Sequence, residues 1–135
     1  MIDWTDHPAP SAADLATLGR TAFDALPPAI RSAAGDVEFH VEDFADDEIL
    51  DALGIEDPFE LSGLYEGVDR LHQSVLDPMP HIARVFLFRR PILDEWAERG
   101  DVSLGDLITH VLIHEIGHHM GLSDDDIMAI EARAD

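Results

Sequence analysis

The chain has no cysteine, and none of its 135 residues is a lysine. Without cysteine there are no disulfides, no thiolate metal ligands and no thiol redox chemistry, which leaves histidine and carboxylate as the metal donors available. Without lysine, the basic residues are eight arginines against 29 acidic residues, and the formal net charge at pH 7 is −21. A surplus of that size repels phosphate backbones and anionic lipid, so neither nucleic acid nor a membrane surface is an expected partner. Basic peptides or metal cations would be attracted, although a solvated acidic surface accounts for the same charge. No apolar run approaches the roughly 18 residues that a membrane span requires. The opening Met1-Ile2-Asp3-Trp4-Thr5-Asp6 has neither the basic nor the apolar region of a secretory signal. The expected address is therefore the cytoplasm. What is present, 46% hydrophobic residues in a chain of 135, suits a single soluble domain with one core.

Residues 1–10 contain Pro8 and Pro10 and read as a loose arm on which Trp4 packs down. Ser11 with Asp14 resembles a capping box, and Leu15, Leu18, Ala22, Phe23 and Leu26 follow at helical spacing until Pro27. A helical turn runs from Pro28 to Gly35. Val37, Phe39 and Val41 then alternate with Glu38, His40 and Glu42, the pattern of a strand with one wet face and a solvated His40. Asp46 to Leu53 reads as a short helix stopped by Gly54. Residues 61–67 read as a glycine-interrupted strand at a sheet edge. Asp77-Pro78 and Met79-Pro80 mark a loop over 69–80, and Ile82 to Phe88 is apolar enough for a central strand buried on both faces. Pro91 opens a helix that Gly100 ends, and Arg89 and Arg90 are expected to pair with surface acids.

The remaining stretch, Ser103 to Asp124, carries the chemistry. It contains His114-Glu115-Ile116-Gly117-His118, followed by Gly121 and Asp124, which spells H-E-x-x-H-x-x-G-x-x-D. On a helix, residues four apart share a face about 6 Å apart along the axis, so His114 and His118 can aim two imidazoles at one ion. Glu115 lies beside such an ion and is placed to take a proton from water. Gly121 can adopt positive φ and turn the chain so that Asp124 returns as the third ligand. In a shuffled chain of this composition H-E-x-x-H appears with probability of roughly 0.03, and the added Gly and Asp bring it below about 0.001. Asp125 and Asp126 are alternatives for the third ligand, or would orient a ligand histidine. His110, one turn before His114, stands behind a ligand or simply packs, and His119 is a weaker competitor. Ser103 and Asp106 form a further capping box, and Gly117 in mid-helix marks a place where something passes close to the backbone.

With these residues in place, the chain resembles the small bacterial zincin-like metallopeptidases called minimal zincins, which have H-E-x-G-H-x-x-G-x-x-D near the C-terminus. Leu64-Tyr65-Glu66-Gly67 and Val85 to Ile92 also look like family segments in family order, so the resemblance covers roughly the C-terminal three-fifths of the chain. It implies an α+β zincin-like fold, His114, His118 and Asp124 as ligands of one Zn2+, Glu115 as catalytic base, and hydrolysis of a peptide or protein substrate. The expected architecture is a small twisted mixed sheet of three or four strands packed by about five helices. Zincins bind an extended substrate along an edge strand, so Leu64 and Tyr65 become candidate substrate-binding residues, Tyr65 as a donor to the tetrahedral intermediate or as a packed ring. The chain departs from larger relatives, which have a third histidine where Asp124 stands and a methionine turn that Met128, in a helical stretch, does not supply.

Two rival readings have different signatures. Two histidines and a carboxylate also describe the facial triad of non-haem iron oxygenases, but that triad has no use for Glu115 and normally sits on a β-barrel. The other rival is a binding or regulatory module that holds its metal and cleaves little or nothing, because a chain this short has little wall for a deep cleft.

Overall fold

A computed structural model of the chain describes residues 9–66 and 83–133. Trp4, Gly67 and the loop expected over 69–80 lie outside the described residues. The first helix, α1 (Ala12–Asp24), begins with the expected reciprocal box: Ser11 Oγ accepts from the Asp14 N–H and Asp14 accepts from the Ser11 N–H. Then come α2 (Pro28–Ala34), β1 (Val37–Glu42), α3 (Asp47–Leu53), a 3-10 turn (Pro58–Glu60), β2 (Gly63–Glu66), β3 (Ala83–Phe88), α4 (Arg89–Arg99), α5 (Leu104–His119) and α6 (Asp124–Arg133). This is the expected α+β architecture. Among the described residues it has three strands and six α-helices, one helix more than the sequence count.

The sheet order is β1-β3-β2, with β3 parallel to β1 and antiparallel to β2. The inner face carries Val37, Tyr65, Ala83, Val85 and Leu87, which pack with α1, α2 and α5 into one core including Leu15, Phe23, Ile30, Leu112 and Ile116. A second cluster, Ala45, Leu50, Leu61 and Phe88, closes the other end of β3. β3 is central as expected, but it is not buried on both faces. Arg84 is exposed and Phe86 half-buried on the outer face, where His40 stacks on Phe86 at 5.2 Å. The apolar run is right at one end and misleads at the other: Phe88 is buried with Leu50 of α3, Phe86 stacks beside it half-buried, and the face opens at Arg84.

Two further boundaries move. α4 starts at Arg89, so Pro91 is its third residue; that position's N–H lacks an intrahelical acceptor in any helix, and proline costs nothing there. The arm ends earlier than residue 10, because Pro10 is buried and its carbonyl accepts from Arg89 Nε at 2.6 Å. Arg89 also meets Asp43 at 3.4 Å, as expected of it, whereas the Arg90 guanidinium lies over the Phe44 ring. Among the described residues, no helix is long and apolar enough to cross a membrane.

Candidate active site

α5 is anchored before it carries any chemistry. Ser103 Oγ accepts from the Asp106 N–H at 3.1 Å, and Leu104, Leu107, Ile108, Leu112 and Ile116 are buried along its length. Two adjacent stripes at four-residue spacing remain. One holds His110, His114 and His118, with ring centroids 4.3 Å apart for the first pair and 5.6 Å for the second. The other holds Val111, Glu115 and His119, and it faces β2: a Cβ on Gly63 would lie 2.7 Å from Val111 Cγ1 and 3.7 Å from Glu115 Cγ. Glu115 is half-buried, and its desolvation raises its pKa above the ordinary carboxylate value while the neighbouring His118 pulls it back in part.

The helix ends by a specific backbone device. Gly121 has φ 80°, its N–H donates to the His118 carbonyl, and the Leu122 N–H donates to the Gly117 carbonyl, which together form a Schellman motif. The chain therefore reverses where the glycine spacing predicts. Ser123 caps α6 by a reciprocal pair with Asp126, at 3.2 and 3.3 Å, which engages the Asp126 carboxylate in the cap. Asp124 and Asp125 are the first two residues of α6; Asp125 is exposed, and the Asp124 side chain lies outside the described part of the structure. α6 docks on α5 through Ile127, fully buried against Gly117, where a Cβ would meet Ile127 Cγ1 at 2.9 Å. The crowding expected at Gly117 is thus another helix. Met128 is 63% exposed on α6, with its side chain in solvent.

The histidine stripe and the nearby carboxylates have the donor chemistry of a zinc site without cysteine. Among the described residues, His, Asp and Glu form no group of three that would hold an ion.

β2 presents two different faces to its surroundings. Phe88 N–H donates to the Ser62 carbonyl, so by antiparallel alternation the backbone groups of Ser62, Leu64 and Glu66 point at β3, and those of Gly63 and Tyr65 point away from it. An extended peptide added at that edge would pair with Gly63 and Tyr65. Leu64 turns its backbone groups to β3, and its half-buried side chain packs beside Phe86 on the outer face. The Tyr65 ring is buried, edge-on to His119 at 4.8 Å, and its hydroxyl donates to the Ala34 carbonyl at 3.4 Å. Sequence reasoning missed this contact because it joins residues 54 positions apart, although the 111, 115, 119 spacing was there to be read.

Burial raises the Tyr65 pKa above its ordinary 10.0. A group neutral in the fold and more acidic when unfolded contributes stability that is full below pH about 10 and is lost as pH rises through the folded value. Because Tyr65 is the one tyrosine in the chain, tyrosinate absorbance reads it directly. We expect that absorbance to grow in together with unfolding, and Tyr65→Phe to flatten the fall of Tm with pH above 10. Titration at the ordinary value in a folded protein would disprove this placement.

A two-histidine, one-glutamate helix lying against the edge strand of a small mixed sheet is the architecture of the zincin class. Residues 34–134 match the zincin-like metallopeptidase family, from the end of α2 through α6, and the chain belongs to that family. The match starts well before Leu64, so β1 and α3 are part of the family unit, while α1 lies ahead of it. No curated protein matches the chain.

Proposed function

We propose that the chain is a zinc-dependent peptidase that hydrolyses peptide bonds without a covalent intermediate. The observation that carries this reading is the division of α5 into two stripes, with paired histidines on one and a half-buried glutamate on the other, turned toward β2, an edge strand among the described residues. His114, His118 and Asp124 would hold the metal, and Asp124 is proposed because Gly121 reverses the chain three residues before it. Zinc bound there would polarise the scissile carbonyl and acidify a water. Glu115 takes the proton of the attacking water on its carboxylate and delivers it to the leaving amine nitrogen, a task that an upward-shifted carboxylate performs closer to neutral pH. The Gly63 and Tyr65 backbone groups hold the peptide extended beside it, and the net charge of −21 favours basic substrates.

Wild type is expected to bind about one zinc per chain, to cleave unstructured basic peptides, and to lose both metal and activity to a chelator and to acid, as the imidazoles protonate. Protein that stays metal-free in excess zinc would sink the site assignment. Protein that keeps its zinc but cleaves nothing across a broad peptide library would make it a binding module. For the third ligand, Asp124→Ala should weaken zinc binding at least about tenfold. Asp126→Ala should instead cost about 1 kcal/mol of stability by removing half of the α6 cap, with little change in zinc affinity. Equal losses of zinc from both would mean general electrostatics, not coordination.

A further inference from the structure

Gly63 stands where any side chain would collide. A Cβ there would lie 2.7 Å from Val111 Cγ1 and 3.1 Å from the Phe86 carbonyl oxygen, with Glu115 Cγ next at 3.7 Å. The strand therefore lies directly on α5, and the Glu115 stem passes along the space where a side chain would be. Two residues on, Tyr65 rests against His119, the next residue of the same helix stripe. Strand positions 63 and 65 thus seat on helix positions 111, 115 and 119, with the glutamate between two contacts. The backbone groups of the same two strand residues point away from β3, to the side where no strand pairs among the described residues. One short segment therefore fixes both where an extended peptide lies and how far Glu115 stands from it.

We infer that Gly63 is a positioning residue for Glu115: its missing side chain sets the separation between the edge strand and the proton-carrying carboxylate. This rests on the peptidase reading above, and goes beyond it by assigning a role to a residue that bears no functional group. A displacement of about 1 Å at such a site can cost up to about 100-fold in rate.

The test compares wild type, Gly63→Ala, Val111→Ala and the double variant, each loaded with zinc and kept well below its Tm. Gly63→Ala is expected to lower kcat by about 10- to 100-fold, more than it raises KM, and to leave zinc affinity unchanged because His114 and His118 lie on the other stripe. Val111→Ala removes the Cγ1 that the new methyl meets, so the double variant should recover part of kcat; the Phe86 carbonyl limits the recovery. Independently of activity, metal-free wild type should show a nuclear Overhauser contact between the Gly63 α-protons and the Glu115 γ-protons. A folded wild type without that contact overturns the inference, as does Gly63→Ala with full kcat or with zinc lost in parallel. Failure of the peptidase reading has a different signature, an inactive wild type or a fully active Glu115→Gln, and it takes this inference down with it.

Discussion

Glu115→Gln is expected to keep its zinc and lose its catalysis. The amide has the shape of the carboxylate and leaves His114, His118 and Asp124 in place, so metal content and fold should match wild type. An amide cannot accept the water's proton, and loss of a general base costs about 10²- to 10⁴-fold, roughly 3 to 5 kcal/mol at the transition state, read in kcat. In the metal-free protein the same change should also be tolerated, since the fold already opposes ionisation of this half-buried group. Equal rates for the two proteins would mean either a contaminating peptidase or another base.

The second large effect concerns α6. Ile127 is fully buried, and it contacts the Gly117 backbone through which α6 meets α5. Ile127→Ala should destabilise the protein by about 2 to 5 kcal/mol, a large share of the 5 to 15 kcal/mol typical of a domain. Because α6 begins at the proposed third ligand, zinc affinity should fall with stability. Denaturant unfolding with and without zinc measures both: the stabilisation that zinc gives should be smaller in the variant. An unchanged zinc increment beside a full loss of stability would separate the docking of α6 from metal binding.

Much of this molecule could be read before its structure was known, and the legible parts share a cause. The capping box at Ser11, the Ser103 cap that makes one half of its expected box, the stop at Gly100 and the reversal at Gly121 are encoded within a few residues, and each forms where the local pattern puts it. The alternation of β1 likewise survives as buried and open faces. What stayed hidden depends on residues far apart in sequence. The run from Ile82 to Phe88 records that β3 is central, but not that its outer face is buried at Phe88, with Leu50 of α3, and exposed at Arg84. Pro91 marks a helix start, but the two arginines ahead of it join the helix because Arg89 reaches back to Pro10 and Asp43. In the site, the motif exposes the two histidines and the glutamate. It is silent on which strand residues turn their backbone outward, a matter of pairing parity that shifts attention from Leu64 to Gly63 and Tyr65.

The topology of the core bears on how the site is assembled. α1 packs against α5, and β1 pairs with β3 instead of with its sequence neighbour β2, so the core joins segments most of a chain length apart. Such non-local closure is slow and waits for its last partner. β2 already pairs with β3 and α1 already packs on β1, but the face that each turns to the core is covered only when the histidine helix packs against both. His114, Glu115 and His118 are therefore expected to be held in place only late in folding, once α1 and β2 have closed on α5.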